Sequence, residues 1–314
     1  MSNVQGALMI DLEGLELSSE EKELLKHPWV GGVILFQRNC VSPDQLAELT
    51  RSIRSHAPHL MIGVDQEGGR VVRFKAGFSP LHSMKYFGDL YADNSLEAFK
   101  QLRRQVLLMS AELQAVGVHF TFAPVLDLNW GCSAVIGDRS FHANPEVVVS
   151  LSEVFIDALH QVKMPAIGKH FPGHGAIKED SHLELSEDHR SYSQIRDNDL
   201  RPFQALSAQL DGMMSAHVVY PEVDKLPASL SAHWLNQILR GEIGYQGLIF
   251  SDDLSMRGIE HVGSIEDSAQ MALDAGSDML LLCNNRDKVI SLIDSLPPSF
   301  IEPQRLQRFT KWTN

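Results

Sequence analysis

The sequence predicts an α/β fold, a (β/α)8 TIM barrel forming a single catalytic domain over residues 1–314, and three observations carry that prediction. Eight short apolar runs are spaced along the chain, stretches of helical periodicity lie between them, and polar residues gather at one end of the runs. A chain of 314 residues is long enough for one such barrel. A six-stranded doubly wound sheet with a small second domain is the alternative that the same alternation allows.

The runs are 7–12, 31–36, 60–65, 119–124, 165–170, 212–217, 247–252 and 278–283. Most are near-continuously apolar, as parallel strands covered on both faces are. Between the first two, Ser18 and Glu21 are spaced as a capping box ahead of Leu24 and Leu25. Ser42 followed by Pro43 supplies an N-cap and an N1 proline for a helix through Leu46, Leu49 and Ile53. Leu96, Phe99, Leu102, Val106, Met109 and Leu113 form one helical stripe that stops at Gly117. Asn144-Pro145 opens the next helix, and Ser264 caps the one that carries Met271. No linker, low-complexity segment or internal repeat interrupts the chain.

In such a barrel, chemistry gathers at the carboxyl ends of the strands. Those ends carry Asp65 after the third run, Asp127 shortly beyond the fourth, Lys169-His170 after the fifth, His217 after the sixth and Asp252 after the seventh. The amino ends carry Gly, Pro, Leu and Ala, with His119 and Asp278 as exceptions.

Composition narrows the function. Hydrophobic residues at 44% and charged residues at 21% are those of a soluble globular protein. A net charge of −13 argues against nucleic acid as a partner. No apolar run reaches the length of a membrane span, and the first residues lack a basic n-region and an apolar h-region. Cys40, Cys132 and Cys283 are an odd, widely spaced set that suits free thiols in a reducing compartment. A cytoplasmic, monomeric enzyme is expected.

The densest stretch is Gly168-Lys169-His170-Phe171-Pro172-Gly173-His174-Gly175, followed by Asp180-Ser181-His182. A packed core would not tolerate it, since each buried unpartnered polar group costs about 1–3 kcal/mol. It reads as an active-site loop at a strand end. Asp180 and His182 lie on one side of an extended segment, so the carboxylate can orient the imidazole and support its charged form. A surface loop of unrelated polar residues is the plainer reading. A metal site of His170, His174, His182 and Asp180 is a third, although the spacing matches no zinc signature and no cysteine pair assists. Asp65, Arg70 and Arg73 surround the pair Gly68-Gly69, either as a turn with solvated charges or as a set that holds sugar hydroxyls. Asp252 ends a strand and is placed to attack an anomeric carbon, while Asp253 reads as the cap of a following helix.

Residues 169–175 with Asp180-Ser181-His182, together with residues 64–70, 136–141 and 247–256, resemble the β-N-acetylglucosaminidases of glycoside hydrolase family 3. The likeness runs from Ala7 to about Cys283 and is nearest to the single-domain bacterial cytoplasmic enzymes that recycle cell-wall fragments. It implies Asp252 as the nucleophile of a retaining reaction, and His182, partnered by Asp180, as general acid and then base. It implies that Asp65, Arg73, Arg139, Lys169 and His170 bind a terminal N-acetylglucosamine for exo cleavage. The implied substrates are peptidoglycan-derived N-acetylglucosaminyl-anhydro-N-acetylmuramyl peptides, with no cofactor, no metal, no nucleic acid and no membrane. The loop 171–182, with glycines at 173 and 175, is expected to bring His182 in when substrate binds. A metal-dependent hydrolase, a glycoside phosphorylase and a non-catalytic sugar-binding barrel are the rivals.

Overall fold

All eight apolar runs become strands of one parallel sheet. In the computed structural model, which describes residues 5–178, 186–259 and 261–312, these are β1 (Leu8–Asp11), β2 (Val30–Leu35), β3 (Met61–Val64), β4 (Phe120–Thr121), β5 (Ile167–Phe171), β6 (Gly212–Ser215), β7 (Leu248–Asp253) and β8 (Met279–Leu282). The order is β4-β3-β2-β1-β8-β7-β6-β5. Its two outer members then meet: Ile167 N–H donates to Ala123 O at 2.9 Å, Lys169 N–H to Pro124 O at 3.2 Å and Leu126 N–H to Lys169 O at 2.7 Å. The sheet therefore closes into a barrel without an edge, and the doubly wound alternative is excluded.

The helix signals also hold. α1 (Ser19–Leu24) starts at Ser18 with the full capping box to Glu21, and α2 (Pro43–His56) starts at Ser42, whose side chain accepts from Gln45 N–H. α3 (Met84–Asp93) had no counterpart in the sequence reading; it begins at Ser83 and packs on the long α4 (Ser95–Ala115). α5 (Pro145–Gln161) and α6 (Ile265–Ala275) begin at Asn144 and Ser264. Further helices include Tyr192–Asp197, Leu200–Leu206 and His233–Glu242 and, later in the described chain, α7 (Arg286–Ser295) and α8 (Pro303–Thr310).

α8 closes the base of the barrel. Phe309 is fully buried, with ring centroids 5.3 Å from Phe120 and 5.8 Å from Phe250. β4 and β7 are not sheet neighbours, so these rings, with Phe122 at 5.5 Å from Phe250, meet across the barrel interior. The two polar exceptions at the amino ends brace this base. Asp278 accepts from Ile249 N–H at 2.8 Å and pairs with Arg240 at 2.7 Å and with Arg305 of α8 at 2.5 Å. His119 Nδ1 accepts from Ile62 N–H at 3.0 Å. The chain's first and last described segments are joined here: Gly6 bridges Phe300, Ala7 N–H donates to Ser299 O at 3.0 Å and Ile301 N–H to Gln5 O at 2.9 Å.

Removing the Phe309 ring leaves a cavity among Phe120, Phe122 and Phe250. Phe309→Ala is expected to lower the unfolding free energy by about 3–5 kcal/mol in denaturant titration, with little change in turnover per folded molecule, because the polar strand ends expected to carry the chemistry lie at the opposite mouth.

Candidate active site

β3 delivers Asp65 one residue past Val64, and the chain turns at once into a hairpin of Gln66–Gly68 against Val71–Val72. The turn passes through Gly68 and Gly69 at φ +125° and +58°, and a Cβ on Gly68 would lie 2.2 Å from the His82 carbonyl oxygen. Only glycine fits there. Buried Gln66 fixes the return strand, its Oε1 accepting from the N–H groups of Arg73 at 2.9 Å and Phe74 at 3.1 Å. Asp65 and Glu67, two residues apart, both line the cavity at the mouth, and Arg73 Nη2 comes back to 3.4 Å from Asp65 Oδ2.

β5 carries the next pair. Its register on β6 matches Lys169 to Met214 and Phe171 to Ser215, so His170 is an extra residue. A bulge of this kind turns a strand locally and re-aims side chains; Lys169 and His170, which strict alternation would send to opposite faces, both line the cavity. Lys169 Nζ lies 2.8 Å from Asp65 Oδ1 and 2.6 Å from Glu67 Oε1.

The loop after β4 supplies the rest. A short turn, Gly137–Arg139, swings Arg139 onto Glu67 in a two-pronged contact, Nε to Oε2 at 2.9 Å and Nη2 to Oε1 at 2.8 Å. Buried Asp127 accepts from His170 Nδ1 at 2.6 Å, from His170 N–H at 3.3 Å and from His174 N–H at 2.7 Å. Arg139 Nη2 faces His170 Nε2 at 3.3 Å. His170 thus sits between the Asp127 carboxylate at Nδ1 and the Arg139 guanidinium at Nε2. Gly175 packs directly on this loop, where a Cβ would meet the Leu128 carbonyl oxygen at 1.8 Å.

Charge is balanced within the cluster. Burial alone would raise the carboxyls of Asp65 and Glu67, yet both are held below the usual range, Asp65 by Lys169 and Arg73, Glu67 by Arg139 and Lys169. Burial likewise opposes ionisation of Asp127, and the neighbouring His170 outweighs it. His174 is buried and held down to about 4, chiefly by desolvation and then by His170.

β7 ends in Asp252 and Asp253, and both line the cavity. Asp253 caps no helix. Its carboxylate accepts from Ser255 N–H and Cys283 N–H, at 2.9 and 3.0 Å, and from Ser255 Oγ at 2.9 Å, which ties the end of β7 to the end of β8. Its own N–H donates to Asp252 Oδ1 at 2.9 Å. Burial pushes Asp253 up to about 6. His217 does not line the cavity; it is buried between Ser229 Oγ at 2.6 Å and the Asp253 carbonyl at 3.1 Å, a brace behind β7.

Asp65, Arg73, Arg139, Lys169, His170 and Asp252 thus surround one cavity of about 410 Å³, with Glu67, His174, Asp253, Met214 and Met256. Asp180 and His182 lie outside the described residues. Among the described residues no three His, Cys, Asp or Glu side chains are arranged to hold a metal ion. Glu67 and Asp127 carry more of the geometry than the sequence suggested. Glu67 was legible as the i+2 partner of Asp65 on one strand face, whereas nothing local marks Asp127 as the anchor of a histidine 43 residues away.

The N-terminal domain of glycosyl hydrolase family 3 matches residues 3–308. A beta-hexosaminidase of Alkalilimnicola ehrlichii is 48% identical over 306 residues, spanning 96% of this chain and 88% of that protein. The crystal structure of NagZ from Neisseria gonorrhoeae in complex with N-trifluoroacetyl-D-glucosamine superposes with a TM-score of 0.92 at 42% identity, over 98% of this chain and 90% of that one. A family 3 β-N-acetylglucosaminidase from Paenibacillus sp. FPU-7 superposes with a TM-score of 0.85 at 31% identity, over 98% and 59%.

His174 and Asp253 pull stability in opposite directions with pH. The ordinary values are 6.5 for the imidazole and 3.8 for the carboxyl. Between about pH 4.5 and 6 the unfolded chain protonates His174 and the folded protein does not, so that group loses stability as pH falls. Asp253 takes up a proton only when folded, so it adds stability as pH falls. Each slope is at most about 1.4 kcal/mol per pH unit. Denaturant titrations across this window should show His174→Gln tilting the profile toward greater stability in acid, and Asp253→Asn tilting it the other way. A common direction in both variants would refute these protonation states.

Proposed function

The chain belongs to glycosyl hydrolase family 3, and on that premise we propose that it is an exo-acting, retaining β-N-acetylglucosaminidase working through a covalent glycosyl-enzyme. Membership makes it a glycoside hydrolase. The observation that carries the finer reading is the meeting, in one cavity, of a strand-end carboxylate, Asp252, with the fixed set of donors and acceptors around Asp65, Lys169, Arg139 and His170.

In this reading Asp252 attacks the anomeric carbon, and the departing oxygen takes its proton from His182, oriented by Asp180. Water then hydrolyses the glycosyl-enzyme with His182 as base, an assignment suited to work near neutral pH. Asp65 accepts from sugar hydroxyls, Lys169, Arg73 and Arg139 donate, and His170, anchored on Asp127, completes that wall. Glu67 holds Lys169 and Arg139 in place before the sugar arrives, so no charge has to reorganise when it binds. Met214, Met256 and Ile136 offer apolar wall to an acetamido methyl group. A pocket walled by charged groups suits one terminal ring, hence exo cleavage. Residues 1–314 act as one catalytic domain. The substrates are N-acetylglucosaminyl-anhydro-N-acetylmuramyl peptides from peptidoglycan turnover in the cytoplasm. Among the described residues no helix is long and apolar enough to cross a membrane.

Nitrophenyl N-acetyl-β-glucosaminide should be hydrolysed with retention, and the matching β-glucoside far more slowly. Asp252→Asn should lose nearly all turnover while staying folded, and Asp253→Asn should be milder. Equal activity in the two variants would remove Asp252 from its role.

General acid–base help is worth about 10²–10⁴-fold, and it is needed at different steps by different leaving groups. His182→Ala should stall on disaccharide-peptides at the first step. With nitrophenyl substrates, whose leaving group needs no proton, it should give a burst followed by slow turnover, relieved by azide with formation of a β-glycosyl azide. Uniform slowing, no burst and indifference to azide would show that His182 is not the acid/base.

A further inference from the structure

Trp130 stands on the loop after β4, four residues before Ala134, the first of three consecutive residues there that line the cavity. It is 44% exposed, whereas Trp29 and Trp234 are fully buried. It is also fixed. Its indole Nε1 donates to Asp199 Oδ1 at 2.9 Å, and the Arg190 guanidinium carbon lies 4.9 Å from the ring centroid. Arg190 is itself locked, with Nε and Nη2 on Asp188 at 2.9 and 2.6 Å and Nη1 on Asp199 at 2.6 Å. Both carboxylates are buried. One face and the polar edge of the indole are therefore taken up by a buried ion cluster, and the exposure belongs to the opposite face.

A rigid apolar surface turned to water adds nothing to the fold, but it suits a sugar. A gluco-configured pyranose carries its hydroxyls equatorially and its C–H bonds axially, so each ring face is apolar and stacks on an aromatic plane. The position is also right. Cys132, two residues on, lies 3.7 and 3.4 Å from the carbonyl oxygens of Gly175 and Ala176. The connection carrying His182 leaves the described chain at Lys178 and re-enters at Ser186, four residues before Arg190, whose guanidinium lies over Trp130. Described chain on both sides of that connection, Gly175 and Ala176 before it and Arg190 after it, lies against the Trp130 loop. On the reading above, in which His182 protonates the departing oxygen, this is the side on which the next ring is placed.

We propose that the open face of Trp130 is the platform for the leaving-side sugar, a β-linked, gluco-configured pyranose stacked on the indole. The proposal rests on the exo-glycosidase reading above. It predicts a contact with the leaving ring alone and none with the terminal sugar.

The test compares the parent protein, Trp130→Ala and Trp130→Phe on N,N′-diacetylchitobiose, with free N-acetylglucosamine as product inhibitor and thermal unfolding as the check on folding. Trp130→Ala should lower kcat/KM for the disaccharide about tenfold, mainly through KM. Trp130→Phe, which keeps a ring but loses the bond to Asp199, should recover most of that loss. The inhibition constant for N-acetylglucosamine should be the same in all three. Three results would overturn the proposal: an unchanged kcat/KM in Trp130→Ala, equal losses in the alanine and phenylalanine variants, or an inhibition constant that moves with KM. If the parent neither cleaves the disaccharide nor is inhibited by N-acetylglucosamine, the exo-glycosidase reading fails and the platform falls with it; an active parent beside an unaffected Trp130→Ala overturns the platform alone.

Discussion

The Glu67 carboxylate, buried between Arg139 and Lys169, is the contact on which the rest of the site depends. A buried carboxylate is stable only when cations and hydrogen bonds replace the water it has lost. Glu67 has two cations from two different strand ends, one through both prongs of a guanidinium and one through an ammonium. The same groups continue outward, Lys169 to Asp65, Arg139 to His170, and His170 to Asp127. Three neighbouring strand ends, β3, β4 and β5, are thus clamped by one connected network of ion pairs and hydrogen bonds. Losing a single member would leave buried charge only partly compensated, a cost above that of losing a surface ion pair.

Across the mouth, β7 is held by different means. Asp253 joins β7 to β8 through the Cys283 N–H, and His217 braces the same strand end from behind. Asp252 projects from that braced end toward the charged cluster. One wall is set by ion pairs and the other by hydrogen bonds to backbone. On the function proposed above, both would hold Asp252 beside the groups that bind the sugar before chemistry begins.

Much of this was legible in the sequence because it follows from short-range rules. Near-continuous apolar runs gave the eight strands, and Ser18, Ser42, Asn144 and Ser264 marked helix starts through caps whose hydrogen bonds span three residues or fewer. What escaped is long-range. The bulge that brings Lys169 and His170 to one cavity depends on the β6 register, and the anchoring of His170 depends on Asp127 across the barrel seam. Asp253 looked like a helix cap because its partners Ser255 and Cys283 make an equivalent set of bonds, one of them 30 residues away. The helices α7 and α8 lie beyond the motif-bearing part of the chain, and their role became visible only where Phe309 meets Phe120 and Phe250.

The seam at the base of the barrel has a consequence for how the protein is made. β1 is completed by β8, and the residues just before it bond to residues 299–301. A chain emerging from the ribosome therefore carries β1 with one flank unfilled, and the aromatic interior open below, until residues 279–309 have been made. The partners that close both lie far along the chain, in β8, at residues 299–301 and at Phe309, so the barrel cannot shut in the order in which it is synthesised. β1 waits longest for its second neighbour, and it is the strand that needs shielding from other nascent chains.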